Sequence, residues 1–422
     1  MPVTPSHTRM GAKPGVPGRI STASGTILTE TESWRPDGRR WETSVTISTR
    51  TVPSPRAGST TVRAAETGTT MIPRGTRRSS GFRIRAVSYT HLRVRLVRNL
   101  KEYPFPGRLT KEQSAELSEK LLGGLTGIAS MDRMQYQFTH LERMGDLEKT
   151  ALLERRAINR SVMKKKDPTG MILSEDESTA ILLNGDDHVR IQTLQTGLTL
   201  EQLYERADKI DDYISERFDY AFDEKYGYLT SFPTNVGTGL RAAVVLHLPM
   251  LSKNKNFNSL VADMGRFGTQ VRGVYGEGAE NFGSLYQISN QKTLGQTERE
   301  IIDIVRKAAL ELDAQERRVR REYRQRKPVQ AADECYKSYG VLKYARRLTR
   351  KDGMEFLSQI MTGITDGILK VKEPYSVYGL MLGIQPANLL SLADRPLDKD
   401  ELDAARAEFL RRRLPEIIEI EN

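Results

Sequence analysis

Five arginines of this 422-residue chain stand beside glycine-rich loops or apolar strands. A guanidinium group stays protonated at any working pH, and its planar fork of N–H donors matches the oxygens of a phosphate group. A single arginine is most often a solvent-exposed side chain, but five of them at predicted strand ends favour a phosphate-binding site. These residues are Arg93, Arg95, Arg190, Arg241 and Arg272.

The segment F-P-T-N-V-G-T-G-L-R at 232–241 is the strongest local signal. Gly237 and Gly239 would let the backbone approach a ligand closely, or would form a tight turn at the entry to the next strand. Residues 272–277, R-G-V-Y-G-E, again combine an arginine with glycines and an acid. Both segments are therefore predicted to line a ligand site.

A third cluster lies in the loop N-G-D-D-H-V-R at 184–190. Asp186, Asp187 and His188 could together hold a metal ion, although neighbouring residues of one loop seldom all face the same ion. A carboxylate that acts as a general base, or that holds a substrate, is the favoured interpretation.

Several other functions are excluded by the sequence. It contains neither the G-x-x-x-x-G-K-[ST] of P-loop enzymes nor the H-R-D and D-F-G of ordinary protein kinases. Cys335 is the only cysteine, which excludes a disulfide framework and a cysteine-based zinc site and indicates a reducing compartment. The apolar runs are too short to span a bilayer, so no membrane segment is predicted.

The net charge of +11 is concentrated in residues 1–92, which hold 14 basic and 5 acidic residues. The remaining residues hold 51 basic and 49 acidic ones, so nucleic-acid binding by the folded body is not expected. Residues 1–92 are rich in Thr, Ser, Gly, Pro and Arg and are predicted to be disordered or aberrant. A transit peptide and a basic nucleic-acid-binding tail are alternatives. A non-native insertion is favoured, because residues 45–50 would read on into 93–100 as one strand.

Hydrophobic periodicity predicts the elements that must position these side chains. Residues 93–322 read as one body of helices and strands, and residues 323–422 as a helical domain. The charged stretch at 316–327 is either a solvated helix face or a hinge between the two. The predicted elements of the body are helices at 109–122, capped by Thr110, and 200–218, a hairpin of strands at 179–184 and 189–194, and strands at 242–248, 271–277 and 283–288.

Four segments together resemble the guanidino (phosphagen) kinase family, and most closely its bacterial protein arginine kinases. They are R-V-R-L-V-R-N at 93–99, N-x-x-D-H-V-R-I-Q at 184–192, P-T-N-V-G-T-G-L-R-A at 233–242 and R-G-V-Y-G-E at 272–277. All four occur in the family's order, and the third is highly specific. The resemblance covers the chain from residue 93 onward.

The resemblance implies an α+β fold, in which an antiparallel sheet flanked by helices is followed by a helical C-terminal domain. It implies binding of ATP and Mg²⁺, and transfer of the γ-phosphoryl group to exposed arginine side chains of protein substrates. Those proteins would be marked for an ATP-dependent protease in the cytoplasm. An activator protein and a homodimer are further partners that the resemblance leaves open.

The resemblance also assigns site residues. Asp186 would be the catalytic carboxylate that holds the acceptor guanidinium and takes up its proton. The phosphoarginine pocket of the family, R-D-x-x-R-A, is matched by Asp403, Arg406 and Ala407, with Leu402 in place of its first arginine. ATP would be bound by Arg93, Val94, Arg95, Arg190, Arg241, Ala242, Ala243, Val244, Val245, Arg272, Gly273, Val274, Tyr275, Gly276 and Glu277.

Three departures from the family's pattern bear on activity. Asp186 stands where the family has a glutamate, and Phe232 stands where it has a cysteine. The family's S-T-R is replaced by H-L-R at 91–93. Two alternatives therefore stay open: a catalytically weakened kinase that acts as an adaptor, and a guanidino kinase that acts on small molecules.

Overall fold

The computed structural model describes residues 26–33, 42–49, 89–132, 134–196, 200–275, 281–372 and 375–418. The chain divides into two compact units, Met1–Met71 and Ile72–Asn422. In the first unit, strand β1 (Thr26–Ser33) and strand β2 (Glu42–Thr49) form an antiparallel hairpin. The structure differs here from the predicted disorder, because β-branched residues favour extended backbone in both strands. The rest of that prediction falls on residues outside the described ones.

The second unit is built on one sheet of eight strands, in which every neighbouring pair is antiparallel. These strands are β3 (Tyr89–Arg98), β4 (Tyr136–His140), β5 (Gly170–Ser174), β6 (Thr179–Leu183), β7 (Val189–Gln195), β10 (Leu240–His247), β11 (Thr269–Gly273) and β12 (Leu285–Asn290). Their order across the sheet is β11-β12-β10-β3-β7-β6-β5-β4. Strands β8 (Phe222–Asp223) and β9 (Gly227–Tyr228) form a separate small hairpin.

Helices surround this sheet and then continue alone to the C-terminal end. Those before residue 327 are α1 (Lys111–Gly124), α2 (Ala129–Asp132), α3 (Asp146–Glu154), α4 (Arg160–Lys164), α5 (Leu200–Ser215), α6 (Phe257–Arg266) and α7 (Glu298–Arg326). Those after it are α8 (Pro328–Tyr344), α9 (Arg350–Thr365), α10 (Val377–Gly383), α11 (Pro386–Leu390) and α12 (Lys399–Arg413). The predicted α+β fold, with an antiparallel sheet followed by helices, is confirmed.

Two local predictions are confirmed in detail. Helix α1 begins after Thr110, whose side chain accepts a hydrogen bond from the Gln113 N–H while the Gln113 side chain accepts one from the Thr110 N–H. This reciprocal capping satisfies two N–H groups that the helix itself cannot pair. The hairpin predicted at 179–184 and 189–194 is formed by β6 and β7. Strand β2 pairs with β1 and ends at Thr49, and β3 begins at Tyr89, so they are separate strands of this chain. The interruption at residues 51–92 stays a prediction.

The two faces of the sheet differ because side chains alternate along each strand. Helix α5 packs against β3 and β7, and helix α7 packs against β10 and β12. Leu92, Val94 and Leu96 point into this helix-covered layer and are at most 1% exposed. Arg93 and Arg95, which alternate with them, lie on the other face.

Helix α7 runs through the charged stretch at 316–327, and the chain changes helix at Lys327. The predicted domain boundary after residue 322 therefore falls inside a helix. Two residues of the stretch are also buried, contrary to a solvated face. Glu316 is 0% exposed and accepts hydrogen bonds from the N–H groups of Met250 and Leu251. Arg320 pairs with Asp366 at the end of α9.

The C-terminal helices enclose a second apolar core, which also includes Val245 and Leu285 of the sheet. The helices therefore cover part of the face that carries the arginines. Within the described residues, no helix has the length and apolar character needed to cross a bilayer.

Candidate active site

The register of the sheet brings four of the predicted arginines together. Arg95 of β3 lies directly opposite Arg241 of β10 on one side and Gln192 of β7 on the other. Directly opposed residues share a face of the sheet, and so do residues two apart in one strand. Arg93 and Arg190 therefore share this surface. We call it the arginine face, defined by Arg93, Arg95, Arg190 and Arg241.

The arginine face has no ion-pair partner in the described part of the chain: none of its four guanidinium groups pairs with a carboxylate there. Arg93 donates to the Gln287 side-chain oxygen at 2.8 Å. The buried Nε atoms of Arg95 and Arg190 have no hydrogen-bond partner. Unpaired buried charge is costly, so the arrangement favours an anionic ligand.

The arginines also act on one another electrostatically. Burial and the charge of Arg241 lower the pKa of Arg95 to about 10, against the opposing effect of Asp186 and Asp187. Burial, with the charges of Arg95 and Arg156, lowers the pKa of Arg93 to about 9. Both side chains remain charged at neutral pH. A phosphate group placed between them would relieve this mutual repulsion.

Arg241 is held by the loops around it rather than by an acid. Its Nη1 atom donates to the Asn290 carbonyl at 2.5 Å, and its Nη2 atom donates to the Thr234 carbonyl at 3.2 Å. Burial lowers the pKa of Arg241, and so does the charge of Arg272. Arg272 is exposed on the edge strand β11. The fifth predicted arginine is therefore at the rim of the site.

Strand geometry separates the other residues predicted to bind the nucleotide. Ala243 lies opposite Arg93 on the arginine face, and Val245 follows two residues later. Gly276 and Glu277 lie outside the described residues. The side chains that instead point into the apolar core, away from the arginine face, are Val94, Ala242 and Val244.

Arg156 joins this site and was not predicted from the sequence. Its Nη2 atom donates to the Val274 carbonyl at 2.8 Å, and its guanidinium lies 5.0 Å from the centre of the Tyr275 ring. Gln192 donates to the Arg156 carbonyl at 2.8 Å. These contacts place Gly273, Val274 and Tyr275 at the edge of the arginine face. Arg156 follows the end of α3 and has no periodic pattern or glycine beside it, so no sequence signal marks it.

The three residues of the predicted cluster in the β6–β7 loop have different contacts. Asp187 is 2% exposed and accepts hydrogen bonds from the Asn99 side chain at 2.8 Å and the Ser231 N–H at 2.7 Å. The His188 Nδ1 atom accepts from the Leu100 N–H at 2.9 Å. Burial lowers the pKa of His188 to about 4, so the ring is neutral. Both residues fasten the loop to its neighbours.

Asp186 is the most accessible of the three, since it is partly buried whereas Asp187 and His188 are at most 2% exposed. One of its oxygens accepts from the Asn159 side chain at 2.6 Å, and its charge acts on Arg95. Lys165 holds the same loop through the Gly185 carbonyl at 3.0 Å. Among the described residues, no three His, Cys, Asp or Glu side chains are grouped as metal ligands. The loop is therefore suited to hold a cationic substrate.

The two glycines of the 232–241 loop approach the protein's own backbone. Gly237 has φ of 109°, and a Cβ atom there would lie 2.3 Å from the Thr293 carbonyl. Gly239 has φ of 66°, and a Cβ atom there would lie 2.6 Å from the Val97 carbonyl. The tight-turn alternative thus accounts for both glycines. Phe232, just before this turn, is 50% exposed.

The residues predicted to form a phosphoarginine pocket lie in α12 and are buried. Arg406 is 2% exposed, donates to the Ile384 and Leu348 carbonyls, and pairs with Asp403. Ala407 is fully buried. The pocket remains a prediction, since the contacts of Arg406 shown here are internal.

Comparisons with known proteins identify the family. A family model described as ATP:guanido phosphotransferase, C-terminal catalytic domain, matches residues 120–319. A second, described as protein-arginine kinase McsB C-terminal domain, matches residues 328–422. The protein-arginine kinase of Caldanaerobacter subterraneus subsp. tengcongensis is 39% identical over 321 residues, which cover 75% of this chain and 94% of that one. This chain belongs to the protein-arginine kinase family.

Other relatives agree with this assignment. The protein-arginine kinase of Brevibacillus brevis is 38% identical over 76% of this chain and 90% of its own length. A solved structure, the duplicated taurocyamine kinase of Schistosoma mansoni with bound transition state analog components, matches at a TM-score of 0.50 and 25% identity. That match covers 59% of this chain and 37% of the other. The family recognised from the four sequence segments is confirmed, and the two family models match most of the sheet, at 120–319, and the C-terminal helices, at 328–422.

Proposed function

We propose that this chain transfers the γ-phosphoryl group of ATP to the guanidinium group of arginine side chains in proteins. The observation that carries the proposal is the arginine face, whose arginines are buried or partly buried and lack a carboxylate partner among the described residues. Family membership adds the reaction class. The match to a protein-arginine kinase C-terminal domain favours protein substrates over small guanidino compounds.

The arginine face would act by holding phosphate oxygens. Phosphoryl transfer passes through a transition state in which negative charge is spread over the equatorial oxygens of the moving group. Fixed positive groups aimed at those oxygens stabilise that charge without reorganising. Arg93, Arg95, Arg190 and Arg241 are fixed in this way by the strands that carry them.

Asp186 would hold the acceptor. One of its oxygens is occupied by Asn159, and the other can accept an N–H from the acceptor guanidinium. As the acceptor nitrogen bonds to the γ-phosphorus and the bond to ADP breaks, a proton passes from that nitrogen to the Asp186 carboxylate. Aspartate is one methylene shorter than glutamate, and a displacement of about 1 Å can lower a rate on the order of 10²-fold. The adaptor alternative rests on this shortening and on Phe232.

Magnesium would enter with the nucleotide. The described residues contain no group of three metal-ligating side chains, which fits an ion held mainly by phosphate oxygens and water. When bound, Mg²⁺ neutralises charge on the β- and γ-phosphates. The arginine face would supply further positive charge to the phosphate oxygens.

We extend the proposal to the partners and domains implied by the family resemblance. Phosphorylated proteins would be marked for an ATP-dependent protease, and the family's phosphoarginine pocket would lie at Asp403, Arg406 and Ala407. An activator protein and a homodimer belong to the same extension. The catalytic domain would end near Lys327, where α7 gives way to α8.

The test is phosphoryl transfer by the full chain. It is incubated with Mg-ATP and an unfolded, arginine-rich protein, and phosphoarginine is read by mass spectrometry at neutral pH. We expect transfer, and a loss of at least about 10²-fold in Asp186→Asn with ATP affinity retained. ATP binding without transfer would overturn the kinase and support the adaptor. Transfer to free arginine but not to protein would support the small-molecule alternative.

A further inference from the structure

The C-terminal helices reach the nucleotide site through one aromatic side chain. The ring of Tyr378 in α10 stacks on the ring of His91 in β3, with centroids 4.6 Å apart and planes 28° from parallel. His91 shares its face of the sheet with Arg93, two residues later. Burial, with the charges of Arg156 and Arg93, lowers the pKa of His91 to about 3. The stack therefore joins two neutral rings beside a charged site.

Tyr378 also changes the pKa of Arg156. Burial lowers the pKa of Arg156, but Tyr275 and Tyr378 outweigh this effect and raise it above the ordinary arginine value. The guanidinium lies against Tyr275, which comes from the end of β11, while Tyr378 comes from the C-terminal region. Arg156 thus lies between the two parts of the chain.

A second contact fastens these helices to the chain just before Arg156. Both oxygens of Glu154 accept hydrogen bonds at the start of α11, from the N–H groups of Ala387 and Asn388, each at 3.0 Å. The neighbouring Arg155 donates to the Asn388 side chain at 3.1 Å. Helix N-termini favour carboxylates, because their first N–H groups lack partners within the helix. Glu154 and Arg155 are therefore tied to the C-terminal helices.

Apolar packing alone does not explain these contacts. Tyr378 is only partly buried, and the ring that it covers belongs to the strand that carries Arg93 and Arg95. Arg156 itself adopts φ of 66°, an uncommon backbone conformation for a residue other than glycine. Such a conformation persists where surrounding contacts enforce it. Here the end of α3 enforces it, since the Arg156 N–H donates to the Leu153 carbonyl at 3.0 Å and the Ala157 N–H donates to the Leu152 carbonyl at 2.9 Å. Gln192 adds a hydrogen bond to the Arg156 carbonyl.

We infer that helices α10 and α11 position the nucleotide-binding arginines, and that Tyr378 is a positioning residue for ATP. The ring holds His91, and with it the strand of Arg93, while the Glu154 contact holds the backbone that presents Arg156. The inference rests on the proposed function for the identity of the nucleotide. It assigns the C-terminal helices a direct part in nucleotide binding.

The experiment compares three variants of the full chain. Tyr378→Leu removes the stacking ring, Tyr378→Phe keeps it, and Tyr375→Leu makes the same exchange at a neighbouring tyrosine. Tyr375 donates from its hydroxyl to the Arg413 carbonyl at 2.6 Å, within the C-terminal region. Affinity for Mg-ADP is measured by calorimetry, and KM for ATP, KM for the protein substrate and kcat by phosphoarginine formation. Thermal melting reports on stability.

We expect Tyr378→Leu to weaken Mg-ADP binding and raise KM for ATP about tenfold, with KM for the protein substrate unchanged. Tyr378→Phe keeps the ring that stacks on His91 but loses the hydroxyl that acts on Arg156, so we expect a loss clearly smaller than that of Tyr378→Leu, about threefold. Tyr375→Leu is expected to lower the melting temperature without a selective change in nucleotide affinity. Equal nucleotide affinity in Tyr378→Leu and the unaltered chain would overturn the inference, as would a uniform loss in both leucine variants.

A second variant covers the case in which Tyr378→Leu does not fold. Glu154→Gln is nearly isosteric and removes the charge from the contact with α11. We expect it to weaken Mg-ADP binding about threefold while leaving KM for the protein substrate unchanged. An unchanged nucleotide affinity would count against the inference. If the unaltered chain itself bound no Mg-ADP or Mg-ATP, the proposed function would fail instead.

Discussion

Buried and partly buried arginines in this chain have two kinds of surroundings. One set has a carboxylate partner: Arg98 with Asp211, Arg320 with Asp366, and Arg406 with Asp403. The other set is the arginine face, where the described residues supply no such partner. Two of these pairs join one element to another and the third lies within α12, whereas the unpaired arginines lie together on a single surface.

Strand β3 shows the difference within a few residues. Arg98 points to the helix-covered side and donates to Asp211 of α5 through Nε at 3.0 Å and Nη2 at 2.5 Å. Arg95, three residues earlier, points to the other side and leaves its Nε atom without a partner. A chain gains nothing in stability by burying an unpaired charge. The comparison teaches that missing partners, rather than burial, distinguish arginines kept for a ligand.

The largest expected effect comes from the unpaired set. Arg95→Met should lower kcat/KM for phosphoryl transfer about 10³-fold, because it removes a fixed positive group from the phosphate site. The free energy of unfolding should stay the same or rise, since an unpaired buried charge is replaced by an apolar side chain of similar length. Transfer assays and urea unfolding on the same preparations measure both quantities. A marked loss of stability would show that Arg95 is structural and would remove the distinction.

Arg98→Met should lower stability and leave activity nearly unchanged, which is the opposite of what we expect for Arg95→Met. The free energy of unfolding should fall by about 3 kcal/mol, because Asp211 is left as an uncompensated buried carboxylate. Urea unfolding measures the loss, and Arg98→Met combined with Asp211→Leu should recover much of it. Activity per folded molecule should change little by comparison. If the double variant were no more stable than Arg98→Met, the pair would not be the cause.

The sequence predicted the unpaired set better than the paired one. Arg93, Arg95, Arg190 and Arg241 were found because the family segments and the strand pattern both include them. The register that makes Arg95 face Arg241 could not be read from the sequence, because strands so far apart in the chain pair through the folding of the whole sheet. Val94 was assigned to the site by its position in a segment, and alternation then placed its side chain in the core.

The paired set and the contacts of the C-terminal helices were missed for a related reason. Glu316 and Arg320 lie in a charged stretch that predicts a solvated helix, yet both are buried by partners from distant segments. Arg156 and Tyr378 likewise gain their roles only where α3, β11 and α10 meet. Local patterns predict elements, but they do not report which charges find partners when those elements pack.

Nucleotide should stabilise the unaltered chain through the arginine face. At a Mg-ADP concentration of about 100 times Kd, the free energy of unfolding should rise by roughly 2.7 kcal/mol. Arg95→Met should show a much smaller rise at the same concentration, whereas Arg406→Lys, which changes a paired arginine, should show the full rise. Thermal melting at several nucleotide concentrations measures the effect. Equal rises in the unaltered chain and Arg95→Met would mean that the nucleotide binds elsewhere.

The smallest expected effect is on the pH dependence of stability, and it comes from Glu316, which lies near the paired Arg320. Burial raises the pKa of Glu316 to about 7, against the opposing effect of the N–H groups that it accepts from. Between the ordinary pKa of a glutamate and pH 7, the folded chain therefore keeps a proton that the unfolded chain releases. The contribution of Glu316 to stability is full at low pH and is lost as the pH rises through 7.

Glu316→Gln cannot lose this proton, so its melting temperature relative to the unaltered chain should rise by a few degrees from about pH 5 to pH 8. Melting of both proteins in matched buffers checks this, and other titrating groups cancel in the difference. Parallel melting curves across this range would show that Glu316 stays ionised from pH 5 to pH 8, because the charge of Arg320 balances its own. In that case the paired set would hold its carboxylates charged throughout, and the contrast with the arginine face would be sharper.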